Sequence, residues 1–356
     1  MFGKRSTARL AKAGLSVGVS LLATLGVSAC FDDSDEYRQA PPTADEIKIT
    51  TPGKSSTSQG LSTGEGVGGS QGALTGKPSE FYQVTWAISA DLNTRAAILL
   101  GLMRLSTLGV PSERTLNSRT WGPYTPGGLD PLTYRVVVTK IGAGHFSYSF
   151  EAHIAAQASQ AFSPLVTGDI TRGTVAGQAK GEVTLHFDNL RALRADACEV
   201  GTIRGQFDNT KTPAHLEIFF DQFANNNPAN VTCKQETPKD AYYYFDRGDG
   251  GAGNFVFSVD MNVHKDADNK PKLETVSLRS RWLATGQGRA DVRVEGGEVA
   301  TDLLTLAAST DFLSVSQCWS TSFVTTYETA TPDVLGLFVT NGDAASCAFT
   351  SADLPE

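Results

Sequence analysis

The chain has 356 residues, 40% of them apolar, with 30 basic and 38 acidic side chains and a formal net charge of −8. That apolar share is enough for a substantial core, and the acidic balance excludes a nucleic-acid binder, because no basic stripe is available to replace phosphate counterions. Residues 1–29 hold four of the basic side chains (Lys4, Arg5, Arg9 and Lys12) and no acid; without those four charges the net of −8 becomes −12, so the body is not drawn to anionic lipid on its own.

Residues 1–29 read as a signal peptide. The basic start is followed by an apolar stretch over 13–27, AGLSVGVSLLATLGV, shorter than the ~20 residues a membrane-spanning helix needs. It closes on Val27-Ser28-Ala29-Cys30, which resembles the lipobox of bacterial lipoproteins. The resemblance implies that the leader is cut before Cys30, that Cys30 takes a diacylglycerol as a thioether, and that its new amino group is acylated. Two or three chains anchor stably where one does not. It also places the protein in the cell envelope, and Phe31 rather than Asp after the cysteine points to the outer membrane. The alternative is an ordinary secretory signal in which Cys30 is incidental.

Residues 30–78 read as a lipidated flexible tether. They start acidic, pass through Pro41-Pro42 and become rich in Gly, Ser and Thr from Thr51 to Gly76, too polar to offset the entropy of ordering. A coil of that length reaches on the order of 40 Å. Gly68-Gly69-Ser70-Gln71-Gly72 and Gly64-Glu65-Gly66-Val67-Gly68-Gly69 match a hydrolase elbow and a dinucleotide fingerprint. Both lack the strand before and the helix after that give those motifs meaning.

Residues 79–356 read as a single β-rich domain. Ser79 is an N-cap with Glu80 just inside, and Ile88, Leu92, Leu99, Leu102 and Met103 recur at helical spacing. Ile98, Leu100 and Leu105 broaden the apolar face, so the helix is expected to be deeply covered and to end at Gly109 and Pro111. A strand over 81–86 is the weaker alternative. Beyond Trp121-Gly122-Pro123-Tyr124 the period becomes two. Phe146, Tyr148, Phe150, Ala152 and Ile154 alternate with Ser147, Ser149, Glu151 and His153. Val183, Leu185 and Phe187, then Phe255, Phe257, Val259 and Met261, then Ala290, Val292 and Val294 repeat the pattern. Turn clusters such as Gly142-Ala143-Gly144 and Asp208-Asn209 separate these runs. Half-wet strands joined by short turns predict an antiparallel meander. The expected fold class is α+β, mostly β: one long N-terminal helix packed on a large curved antiparallel sheet or near-closed barrel of about ten strands.

After Cys30 four cysteines remain, Cys198, Cys233, Cys318 and Cys347. An even number in an exported chain predicts disulfides, with three pairings open. Sequence order and hairpin topology favour Cys198–Cys233 and Cys318–Cys347. No Cys-x-x-Cys or His-Glu-x-x-His occurs, so no metal ligand set is assigned. His145, His153, His186, His215 and His264 sit singly, the second and third on the polar parity of their strands. Asp266-Ala267-Asp268-Asn269 and Asp246-Arg247-Gly248-Asp249-Gly250-Gly251 read as turns rather than ion sites, the first lacking the glycine a calcium loop needs. Tyr242-Tyr243-Tyr244-Phe245 must place at least one tyrosine on the wet face, the one hint of a recognition surface.

Trp121-Gly122-Pro123, Ser280-Arg281-Trp282, Gly288-Arg289-Ala290-Asp291, Cys318-Trp319 and Cys347-Ala348-Phe349, in that order, resemble a group of uncharacterised lipoproteins of myxobacterial type. The resemblance covers most of the folded part and implies location and architecture, with no activity and no site residue. The expectation is a non-enzymatic, lipid-anchored envelope protein with a binding or scaffolding domain and no cofactor. Its partners are the membrane, through Cys30, and an unidentified envelope protein or polymer. A carrier of an apolar ligand such as a lipid is the alternative, a hydrolase comes third and a transmembrane barrel fourth.

Overall fold

A computed structural model describes residues 36–53, 76–127, 130–157, 159–264, 272–305, 310–332 and 340–354. Cys30, the two glycine-rich motif matches and the 266–269 turn lie outside the described residues. Among the described residues fifteen strands follow one another in chain order, and within each of two units every strand is antiparallel to the next in an open sheet. The expected meander is present, with more strands than the ten expected and without closure into a barrel.

The chain divides into two compact units: 36–48 with Leu92–Asp240, and Ile49–Asp91 with Ala241–Glu356. The first holds β1 (Glu113–Arg114), β2 (Ser118–Tyr124), β3 (Leu132–Gly142), β4 (His145–Ile154), β5 (Ser163–Arg172), β6 (Ala179–His186), β7 (Glu199–Asp208) and β8 (Ala214–Asn225). The second holds β9 (Lys239–Arg247), β10 (Gly253–Met261), β11 (Glu274–Trp282), β12 (Gly288–Gly296), β13 (Phe312–Trp319), β14 (Thr325–Thr331) and β15 (Asn341–Gly342). Among the described residues there are three α-helices: α1 (Glu80–Ser106) has its first residues in the second unit and the rest in the first, α2 (Phe187–Leu193) belongs to the first and α3 (Val299–Thr305) to the second.

In the first unit the alternation sets the core. Val136 faces Phe150 and Val138 faces Tyr148 across β3 and β4, and Val136, Val138, Phe146, Tyr148 and Ala152 are buried. The Tyr148 ring lies over Gly168 of β5, where a β-carbon would fall 2.2 Å from it, and its hydroxyl donates to Glu182 O at 3.1 Å. Burial is the main cause that raises the phenol's pKa, with Asp169 adding to it.

The second unit repeats a single device. Trp282 and Trp319 are paired in register with Gly253 and Gly288, and each indole occupies the space a β-carbon there would take, at 2.3 and 2.4 Å. Each indole N–H donates to a glycine carbonyl, Gly251 at 3.0 Å and Gly286 at 2.9 Å. Trp121 in the first unit does the same to Gly109 at 2.9 Å. A buried indole needs an acceptor, and a glycine next to it leaves room for the ring to lie flat on the backbone.

The helix begins where its cap residue predicts. Ser79 Oγ accepts from Tyr82 N at 3.2 Å, and Gln317 of β13 accepts both from Ser79 Oγ at 2.6 Å and from Phe81 N at 3.1 Å. Two of the four orphan N–H groups of the first turn are thereby satisfied inside the protein. Tyr82 stacks on Phe323, and Thr85 shares a hydrogen bond with Ser280.

Three expectations need correction. The helix ends at Ser106 and is not the N-terminal element, because residues 36–53 precede it and are packed. Tyr37, Ala40 and Ile49 are buried, Tyr37 against Phe146 and under Arg119. Arg172 binds Glu46 and the carbonyls of Gln39 and Pro41, and Lys140 pairs with Glu36 at 2.6 Å. This part of the expected tether therefore belongs to the body. Helix α1 is also covered on fewer sides than its composition predicts: Leu100 and Met103 are buried, whereas Ile98 and Leu105 are 45% and 53% exposed. Met103→Ala is expected to cost about 2–5 kcal/mol in urea unfolding, since it leaves a cavity, and Ile98→Ala under about 0.5 kcal/mol. Equal midpoints for the two variants would reject this assignment of faces.

Candidate functional site

The four downstream cysteines pair as the hairpin order favours. Cys198 and Cys233, 35 residues apart, join the start of β7 to the loop after β8, and Cys318 and Cys347, 29 residues apart, join β13 to the C-terminal segment. That segment is bound further by a row of arginines on β11 and β12. Arg279 and Arg281 reach Asp353, Arg289 donates to Thr350 O at 2.6 Å, and Ala352 N donates to Asp291 at 2.9 Å. The polar side of these strands is therefore covered by the chain's own end.

The Asp246–Gly251 stretch is a turn between β9 and β10, as expected, with a short 3-10 turn over Asp249–Gly251. Of the tyrosine run, Tyr243 joins the aromatic layer, 5.1 Å from Phe257, and Phe245 lies against Trp282. Tyr244 takes the other face and donates to Asp246 at 2.5 Å. Its pKa is raised, first by burial and then by that carboxylate.

The histidines separate into different settings. His145 pairs with Asp169 at 2.6 Å, His215 with Glu217 at 3.2 Å, and His186 Nε2 meets Thr167 Oγ1 at 2.9 Å. His153 departs from its polar parity. It is 6% exposed and lies edge-on to Phe162, which a parity argument cannot foresee, because parity gives direction and not cover.

His264 does not sit singly. It lies three residues past the end of β10, and its ring is held between acids from two other segments. Nε2 binds Asp302 of α3; a carboxylate only accepts, so this nitrogen carries the hydrogen. Nδ1 then faces Glu274 Oε1 at 3.4 Å. Glu274 opens β11, paired in register with Met261 and Gly296, and its side chain is 0% exposed. Its carboxylate accepts from Val263 N at 3.0 Å and from Glu298 N at 3.2 Å. Glu298, just before α3, accepts from Lys272 N at 3.4 Å through Oε1. Gly297 completes the turn at φ +51°, where a β-carbon would fall 2.3 Å from Glu274 Oε1, so only glycine fits. One donor atom each from His264, Glu274 and Glu298 lie within 4.8 Å of one another.

Glu274, Glu298 and Asp302 carry no signal in the sequence. They are separated from His264 by strand and turn, and only the register of β10, β11 and β12 brings them together. No family model matches the chain, and neither the curated proteins nor the solved structures include one similar to it.

Proposed function

We propose that this chain is an exported, lipid-anchored protein of the cell envelope whose β-rich body binds or scaffolds a partner there and is not catalytic. The observation that carries the reading is the cysteine pattern. Four of the five cysteines are joined in two disulfides, which persist in oxidising compartments. Cys30 is left over, at the one position where the preceding Val27-Ser28-Ala29 resembles a lipobox.

The packing of 36–53 refines how the anchor would act. Glu36, which pairs with Lys140, lies six residues after Cys30, and six residues fully extended span at most about 20 Å. An anchor at Cys30 therefore holds the first unit close to the bilayer, where a tether running to residue 78 would have let it range about twice as far. A net of −12 keeps the protein surface from adhering to anionic lipid, so the anchor and not the face sets the attachment. The outer membrane is the proposed site.

The apolar-carrier reading finds less support. The dry positions of the strands are filled by the chain's own side chains, Phe255, Trp282 and Trp319 among them. Labelled palmitate fed to cells expressing the full chain tests the proposal. Wild type should incorporate label and run at the processed size. Cys30→Ala should incorporate none and keep the leader. Unchanged labelling of Cys30→Ala would reject the anchor.

A further inference from the structure

We infer that His264, Glu274 and Glu298 form a binding site for a divalent transition-metal cation of the zinc class, with Asp302 orienting the histidine. The argument starts from lone pairs. Because Nε2 gives its hydrogen to Asp302, the neutral imidazole presents Nδ1 as an acceptor. The atoms facing it are carboxylate oxygens, also acceptors. Among the described residues, buried His264 Nδ1 and buried Glu298 Oε2 have no hydrogen-bond partner. Buried polar atoms are almost always paired, and two orphans in one cluster, beside a carboxylate with no exposure to water, point to something that binds all three acceptors.

A proton does this poorly. Placed on Nδ1, it reaches toward Glu274 at 3.4 Å, beyond the ordinary range for such a bond, and leaves Glu298 Oε2 as it was. A cation serves all three atoms together. Bonds of about 2.0–2.2 Å to nitrogen and oxygen in a tetrahedral arrangement put neighbouring ligand atoms about 3.4 Å apart, which is the separation of His264 Nδ1 from Glu274 Oε1. The Glu298 oxygen lies within 4.8 Å of both and completes the set by a small side-chain shift.

The surroundings are those of a ligand set. A metal-bound histidine ordinarily gives its other N–H to a carboxylate, and ligating carboxylates are themselves held by hydrogen bonds. Asp302 supplies the first, and the N–H groups of Val263, Glu298 and Lys272 supply the second. One imidazole and two carboxylates select a first-row ion such as Zn²⁺ over Ca²⁺ or Mg²⁺, which prefer all-oxygen sites. Three protein ligands leave a fourth position for water or for a group on a partner. The ion would tie the end of β10, the start of β11 and the turn into α3 into one unit.

The test uses the untagged full chain in detergent, stripped with EDTA, desalted and kept non-reducing so that the disulfides stay closed. Isothermal titration with ZnCl₂ should give one saturable equivalent per chain and raise the thermal midpoint. CoCl₂ should give the visible bands of a tetrahedral ion, and CaCl₂ and MgCl₂ should do neither. Asp302→Asn should weaken zinc about 10–100-fold. His264→Ala and Glu298→Gln should each remove the equivalent, while His145→Ala retains it. Glu298→Gln keeps the side-chain shape, so it reads binding even if His264→Ala unfolds. Folded wild-type chain with no saturable zinc, or an equivalent retained in folded Glu298→Gln, would overturn the site.

Discussion

Trp319→Ala should lower the free energy of unfolding by about 3–5 kcal/mol, the range for removing a buried aromatic side chain. The residue is 1% exposed and stands over Gly288, so no β-carbon on the facing strand can move in to fill the space. The loss extends beyond packing: Gly286 O, which accepts the indole N–H at 2.9 Å, would be left without its donor. Trp319→Phe separates the two effects. It restores most of the ring and leaves the carbonyl unpaired, which costs about 1–3 kcal/mol. Urea midpoints in the order wild type, Trp319→Phe, Trp319→Ala are the expected result. A Trp319→Ala protein melting with wild type would mean that the indole is no part of the core.

The second large effect is expected from the disulfides. Opening a cross-link of 29 residues returns about 3–4 kcal/mol of conformational freedom to the unfolded chain, and one of 35 residues about the same. Cys318→Ala with Cys347→Ala should therefore lower the free energy of unfolding by several kcal/mol, about the value of one cross-link. It should also loosen residues 344–354, whose remaining contacts include Arg279, Arg281, Arg289 and Asp291 and the Gln287 amide that donates to Ser346 O. Hydrogen exchange should show that segment exchanging faster while β10 and β11 stay protected. In wild type, alkylation under denaturing, non-reducing conditions should find none of Cys198, Cys233, Cys318 and Cys347 reactive. Modification of all four before reduction would remove both the pairing and the compartment drawn from it.

The features legible in the sequence are those that a local pattern can carry. Alternation over Phe146–Ile154 and Phe255–Met261 reads as strand because each segment has one buried face, and Ser79 reads as a cap because its hydroxyl is needed one turn on. Strands without that contrast carry no such pattern. β14, Thr-Thr-Tyr-Glu-Thr-Ala-Thr, has few apolar residues to alternate. The burial of Tyr37, Ala40 and Ile49 leaves no sequence signal for a different reason. They occur singly near Pro41-Pro42, with no period, and Phe146, which packs on Tyr37, and Arg172, which reaches the Ala40 carbonyl, lie more than a hundred residues away. The His264 cluster depended on register. Glu274 reads as the first polar residue of a strand, and only its pairing with Met261 and Gly296 sets it beside a histidine and a second glutamate.

The order of the strands also dictates how the chain can fold. Within each unit every strand pairs with its neighbours in sequence, so each new hairpin closes a short loop and the sheet can grow by addition as the chain emerges. That is a low contact order for a β protein, and it favours fast assembly. The helix cap is one of the contacts that depart from this order. Ser79 reaches Gln317 across 238 residues, so α1 can be made early but its first turn is completed only after β13 has been laid down. Chains stopped before β13 should carry the first unit's strands and a frayed helix start, and hydrogen exchange should show that start protected once β13 is present.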